Sequence, residues 1–121
     1  MFSPEFVTSA TAVDGSLVVG LRLNWFRPLP LSCIEELTAS VGGVPLPAGV
    51  LTLDGTAYDA GSLTDHDDVW WGLFSDAELV LPRTGPVGDV RVTIRTRIPL
   101  LLDHTGSPVV VVDSALIEVA A

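Results

Sequence analysis

Two short stretches, each setting one of the chain's two histidines beside aspartate, are the first candidates for chemistry. Asp65-His66-Asp67-Asp68 crowds carboxylate oxygens and an imidazole nitrogen, the donor types that take divalent cations. The run lacks the glycine and terminal glutamate of a calcium loop, and adjacent residues of an extended segment point in opposite directions, so a solvated acidic loop is the expectation. Asp103-His104 with Ser107 carries the residue types of a nucleophile, base and orienter. No Gly-x-Ser-x-Gly elbow or oxyanion loop accompanies it, and Gly106 marks a turn instead. Glu35-Glu36 is a carboxylate pair, but strand neighbours face opposite sides and cannot flank one bond. Cys33 is the sole cysteine and forms no internal bridge, which fits a buried structural thiol. No complete catalytic, cofactor or metal site is expected on this chain.

The elements that would position these residues are strands. Leu17, Val19, Leu21, Leu23 and Trp25 alternate with polar or small residues over Ser16 to Phe26, and the β-prone Phe6 to Val13 precedes them across Asp14-Gly15, so the chain opens with a hairpin. Glu36 to Val41, with Leu37, Ala39 and Val41 inward, turns at Gly42-Gly43 into Val44 to Leu46. Val50 to Leu53 and Thr56 to Tyr58 flank Asp54-Gly55, and Asp59 to Asp68 reads as a loop. Ala77 to Leu81 alternates again. Asp89 to Ile98 sets Val90, Val92, Ile94 and Ile98 against Arg91, Thr93, Arg95 and Arg97, so its outer face is an arginine ladder. Val109 to Val112 leads into Ser114 to Val119 as a closing strand.

No stretch has a sustained helical period, and no βαβ alternation or interdomain linker occurs. One all-β domain over residues 1–121 is expected: an immunoglobulin-like antiparallel β-sandwich of seven to nine strands, with a small β-barrel as the alternative.

Composition bounds the partners. The formal charge is −9, and the six basic residues are all arginines, dispersed along the chain, which argues against nucleic acid and anionic membranes. Met1-Phe2-Ser3-Pro4-Glu5 has no basic region followed by an apolar stretch, and no apolar run approaches the ~20 residues of a membrane span, so a cytoplasmic protein is expected. The hydrophobic share of 48%, with a mean hydropathy of +0.51, is high for so small a domain and implies apolar surface that meets a partner. Trp25-Phe26-Arg27-Pro28-Leu29-Pro30-Leu31, Trp70-Trp71-Gly72-Leu73-Phe74 and Ile98-Pro99-Leu100-Leu101-Leu102 hold most of the aromatic and proline-bordered apolar content. Such residues dominate binding hot spots. Trp25 continues an inward face; Phe26 to Leu31 and Pro99 to Leu102 are divided evenly between core and partner surface, since prolines interrupt strands and push apolar groups outward. The candidate interface is Phe26, Arg27, Pro28, Leu29, Pro30, Leu31, Trp70, Trp71, Pro99, Leu100 and Leu101. A free-standing carbohydrate-binding module, with Trp70 and Trp71 stacking on sugar rings, and a small independent enzyme using His66 or His104 are the other classes.

Phe26-Arg27-Pro28-Leu29-Pro30-Leu31-Ser32-Cys33-Ile34-Glu35, followed by a strand, a Gly-Gly turn and Val44-Pro45, resembles the aromatic-Arg-Gly-Leu-Pro-Leu-Ser segment of the small (β) subunits of bacterial C-glycoside deglycosidases. The likeness continues through Asp54-Gly55-x-x-Tyr58, Trp71 ahead of Ala77-x-Leu79, the Pro82 to Gly88 turn and Arg97-Ile98-Pro99. Pro28 stands where the family pattern has glycine, and Gly72-Leu73-Phe74 replaces the family's Phe-Gly. The resemblance implies a β-sandwich subunit in a hetero-oligomer with a larger TIM-barrel subunit. That large subunit would hold a divalent metal, typically manganese, and the acid/base residues. The reaction implied is cleavage of the C–C bond between a 3-keto sugar and an aromatic aglycone by proton abstraction and elimination. This chain would be required for a soluble, active assembly without supplying the chemistry.

Overall fold

The computed structural model describes residues 6–13, 15–23, 28–72, 75–82 and 89–119, and of Leu100 the backbone alone. Its strands are β1 (Val7–Val13), β2 (Ser16–Leu21), β3 (Leu29–Pro30), β4 (Ile34–Val41), β5 (Val44–Pro45), β6 (Val50–Leu53), β7 (Thr56–Asp59), β8 (Trp70–Trp71), β9 (Ala77–Pro82), β10 (Asp89–Leu102) and β11 (Pro108–Glu118). They form an open five-stranded sheet in the order β1-β2-β9-β6-β7, an open four-stranded sheet in the order β11-β10-β4-β5, and a short β3-β8 ribbon. Every pairing is antiparallel. The result is a β-sandwich, and the barrel alternative falls because neither sheet closes.

Alternation makes the core. Leu17, Val19 and Leu21 of β2, Leu51 and Leu53 of β6, and Ala77, Leu79 and Leu81 of β9 face Leu37 and Ala39 of β4 and Val90, Val92 and Ile94 of β10, all buried. Turn chemistry fixes the registers. Val13 pairs with Ser16, leaving a two-residue turn whose second residue, Gly15, has φ +82°; its first, Asp14, lies outside the described residues. Gly42 and Gly43, and Asp54 and Gly55, all have positive φ, the backbone that two-residue hairpins with the right twist require.

Three expectations need correction. Pro99 does not end its strand: β10 runs on to Leu102. Its pairing with β4 stops at Thr96–Ile34, and its register on β11 jumps between Ile98–Val109 and Leu102–Pro108. Pro99 therefore sits in an irregular stretch beyond β4, where its missing N–H breaks no regular ladder. Asp59 to Asp68 is not simply a loop, since Asp59 completes β7 and Leu63–Asp65 winds a 3-10 turn over the buried Leu63. Glu35 and Glu36 do not face opposite sides. Arg95 pairs with Glu36 and Thr96 with Ile34, so Glu35 is an extra residue in a bulge, and both glutamates are exposed. Trp25, Phe26 and Arg27 lie outside the described residues.

Candidate functional site

Two of the three apolar segments singled out in the sequence meet in the β3-β8 ribbon, at the end of the sandwich where β4 begins, while Trp25 to Arg27, Leu73 and Phe74 lie outside the described residues. Leu31–Cys33 forms a 3-10 turn between β3 and β4 and packs against both β10 and the Leu63–Asp65 turn. The Leu31 N–H donates to the Val69 carbonyl at 2.8 Å and the Ser32 N–H to the His66 carbonyl at 3.0 Å, tying the acidic loop to this end. Leu29 pairs with Trp71 and Pro30 with Trp70 in the β3-β8 ribbon.

In the β3-β8 ribbon, neighbouring side chains alternate between buried and more exposed positions. Leu29, Leu31 and Trp71 are core, which corrects their placement on an outward surface: the ribbon and the turn fold their side chains inward. The Trp71 indole N–H is satisfied by the Ser75 carbonyl at 3.0 Å. Pro28, Trp70, Pro99 and Leu101 are exposed and Pro30 is half-buried; the Leu100 side chain lies outside what is described. Trp70, 58% exposed, is the outward partner of a buried neighbour. A sugar-stacking platform made of both tryptophans is therefore not formed, because consecutive strand residues point to opposite faces.

The chemical candidates are engaged structurally. His66 packs its ring edge-on to Tyr58, with centroids 5.0 Å apart. Among the described residues no group of three or more His, Cys, Asp or Glu side chains is placed to hold a metal ion. Asp103 Oδ1 accepts from the Thr105 N–H at 2.8 Å, the Thr105 hydroxyl at 2.6 Å and the Ser107 N–H at 3.2 Å. These donors hold the Asp103 carboxyl below its ordinary value, with the Thr105 hydroxyl contributing most. The carboxylate thus locks the β10–β11 turn, and the His104-containing tip stays exposed. Burial pushes the Cys33 thiol up, partly opposed by the positive charge of Arg97. A raised thiol is a poor nucleophile near neutrality, in keeping with a structural role. Glu35 reaches Arg95 Nε at 3.3 Å and Arg97 Nε at 4.0 Å.

Sequence reasoning missed one apolar region. Val110, Val112 and Leu116 of β11 all stand outward. The signal was available in the unbroken Val109-Val110-Val111-Val112, since a strand apolar at both parities is covered on both faces or meets something on one of them. Among the described residues no helix is long and apolar enough to cross a membrane.

No protein-family model matches the chain. It is similar to a C-glycoside deglycosidase beta subunit of Arthrobacter globiformis, 32% identical over 115 residues, spanning 86% of each chain. It is also 35% identical over 99 residues to the 3'-dehydrocarminate deglycosidase beta subunit of a Microbacterium species, covering 77% of this chain and 74% of that one. A second beta subunit from Arthrobacter globiformis is 29% identical over 68 residues, about half of each chain. Identity at this level over most of both chains, on a β-sandwich whose candidate chemical groups are held in structural contacts, places this protein in the family of C-glycoside deglycosidase beta subunits.

Proposed function

We propose that this chain is the non-catalytic small subunit of a cytoplasmic C-glycoside deglycosidase that works as a hetero-oligomer with a larger TIM-barrel subunit. The single observation behind this reading is the similarity to beta subunits along most of the chain. The side chains described above agree with it: Asp103 is spent on its turn, Glu35 on two arginines, and His66 on Tyr58.

The large subunit would carry the acid/base residues and a divalent metal, manganese being the expectation. The chemistry follows from the substrate class. A ketone at the sugar's third carbon acidifies the adjacent C–H, so a base can remove that proton and the enolate can expel the aglycone from the anomeric carbon. The aromatic carbon leaves with the electrons of the C–C bond and takes a proton, so no water is consumed. The relative named as a 3'-dehydrocarminate deglycosidase beta subunit supports this substrate class. On this reading the exposed Pro28 and Trp70, beside and on the β3-β8 ribbon, and the exposed Pro99 and Leu101 of β10 contact the partner.

Expression with and without the large-subunit gene tests the proposal. Co-purification of the two chains, with cleavage of a 3-keto C-glycoside by the pair, is the expected result. Cleavage by the purified chain alone would overturn its non-catalytic status.

A further inference from the structure

We infer that the chain pairs with a second copy of itself along the free edge of β11, the two strands running antiparallel about a two-fold axis at Ser114, so that two four-stranded sheets join into one. The pairing uses a different part of the chain from the segments assigned to the large subunit and stands independently of that contact.

The edges of the sandwich differ in how they are finished. An edge strand offers a row of unpaired N–H and C=O groups to any other strand, and proteins blunt such edges by shortness, proline or a bulge. Of the four edges of the two main sheets, three are blunted in these ways. β5 has two residues, the second of them Pro45; β7 has four; and β1 breaks register between Val7 and Ser9. β11 has none of these devices beyond Pro108 at its start. It is 11 residues long, keeps unbroken register on β10 from Val109–Ile98 to Glu118–Asp89, and pairs with no other strand among the described residues.

The side chains of β11 select a second copy and one register for it. Two antiparallel copies of a strand cross where a residue faces itself. An axis at Asp113 would set two carboxylates together on the half-buried inner side, since Asp113 lies across from the buried Ile94, and like charges directly opposite are unfavourable. An axis at Ala115 would oppose Val112 to Glu118 and Ser114 to Leu116, apolar to polar each time. At Ser114 two small hydroxyl side chains meet, and Asp113 falls opposite Ala115 of the second copy. The same register brings Val112, 55% exposed, against Leu116, 56% exposed, on both sides of the axis, and Val111 against Ile117 on the inner face. Cross-strand aliphatic pairs of this kind are the unit of sheet stabilisation.

Charge agrees with this register. Within one chain Glu118 stands directly across from Asp89, two exposed carboxylates side by side. In the dimer Glu118 lies opposite Val110 of the second copy, beside which β10 of that copy sets Arg97. Two strand spacings, about 10 Å, separate the Glu118 and Arg97 backbones, within the combined reach of the two side chains. A carboxylate that meets its own sign within the chain thus gains a guanidinium from the other copy. The outer row carries both signs, and a row of mixed sign complements a copy of itself.

Sedimentation of the purified chain over a dilution series tests the pairing, a reversible dimer of twice 12.8 kDa being expected. Val112→Lys and Leu116→Glu should each weaken it by roughly 10-fold, since each sets a charge against an aliphatic group. The double variant should regain most of the loss, because this register places the new lysine opposite the new glutamate of the other copy. Val50→Lys, at an exposed valine on the other sheet, should dimerise as wild type, and all variants should keep the wild-type circular dichroism. Ser114→Cys should form an interchain disulfide on mild oxidation and Val110→Cys should not, the native Cys33 being buried. A monomer at every concentration overturns the inference. So does a dimer that Val112→Lys does not weaken or Ser114→Cys does not cross-link. Co-purification with the large subunit is a separate readout, which Val112→Lys should leave at the wild-type level; loss there would give this edge to the large subunit and overturn the inference alone. Failure of the wild-type chain to co-purify would overturn the small-subunit reading and leave the dimer standing.

Discussion

The two sheets share one core but turn different outer faces to their surroundings. On the five-stranded sheet the outward groups include Thr8, Ser9, Gly20, Thr52 and Glu78, with Val18 and Val80 half-buried. A Cβ on Gly20 would lie 2.6 Å from the hydroxyls of both Thr8 and Ser9, so the edge strand β1 lies close over β2 there. On the four-stranded sheet, arginines and aliphatic side chains stand outward and exposed among the described residues. Each sheet uses a bulge to turn two consecutive residues outward, Thr8-Ser9 on β1 and Glu35-Glu36 on β4. One bulge closes a surface over glycine; the other supplies the carboxylate that aligns Arg95 and Arg97. Both faces leave some valines exposed, Val13 and Val50 on the first and Val110 and Val112 on the second, and the difference between them is the arginine row of β10.

This contrast can be broken by substitution. The largest stability effect is expected inside: Trp71→Ala should cost about 3–5 kcal/mol and Ile94→Ala about 2–5 kcal/mol in denaturant unfolding, because both side chains are fully buried. An Ile94→Ala protein as stable as Val112→Ala would show that the inner and outer faces of β10 and β11 are misassigned. A smaller loss, about 1–3 kcal/mol, is expected for Gly20→Val, which must displace the two hydroxyls over it. Its affinity for the large subunit should not change, and a change would put that face in the interface. Glu35→Ala should cost under about 1 kcal/mol, as its ion pairs are solvent-accessible. The smallest effect concerns pH. The Asp103 carboxyl titrates below its ordinary value of 3.8 when folded, so its contribution to the turn is complete above that value and is lost as pH falls through the folded one. Asp103→Asn should remove that part of the acid dependence of the melting temperature; an unchanged acid limb would deny the carboxylate its role in the turn.

The fold was legible where local chemistry settles it. The alternation of Leu17 to Leu23 and the glycine turns at Gly42-Gly43 and Asp54-Gly55 act within a few residues, and each expected hairpin formed. Pro99 was misread because tolerance of proline depends on which strand lies alongside, and β4 ends before reaching it. The direction of Glu35 was hidden for a related reason: a bulge is a property of two paired strands, invisible in either alone. Leu29 and Leu31 were left between core and surface beside prolines, and what buries them is not local: Leu29 pairs with Trp71, some 40 positions further along the chain, and Leu31 turns in at the 3-10 turn that follows. The arginine ladder of β10 was visible from alternation, but its significance depends on the valines that β11 sets beside it.

The central claim is that this chain acts through a partner. Mixing the purified chain with the purified large subunit, and following both complex mass and cleavage of a 3-keto C-glycoside, tests it most directly. The account predicts a stable complex of the two chains whose activity rises and saturates as this chain is added, with none from this chain alone. Full activity of the large subunit without it, or two species that never co-migrate, would contradict the account.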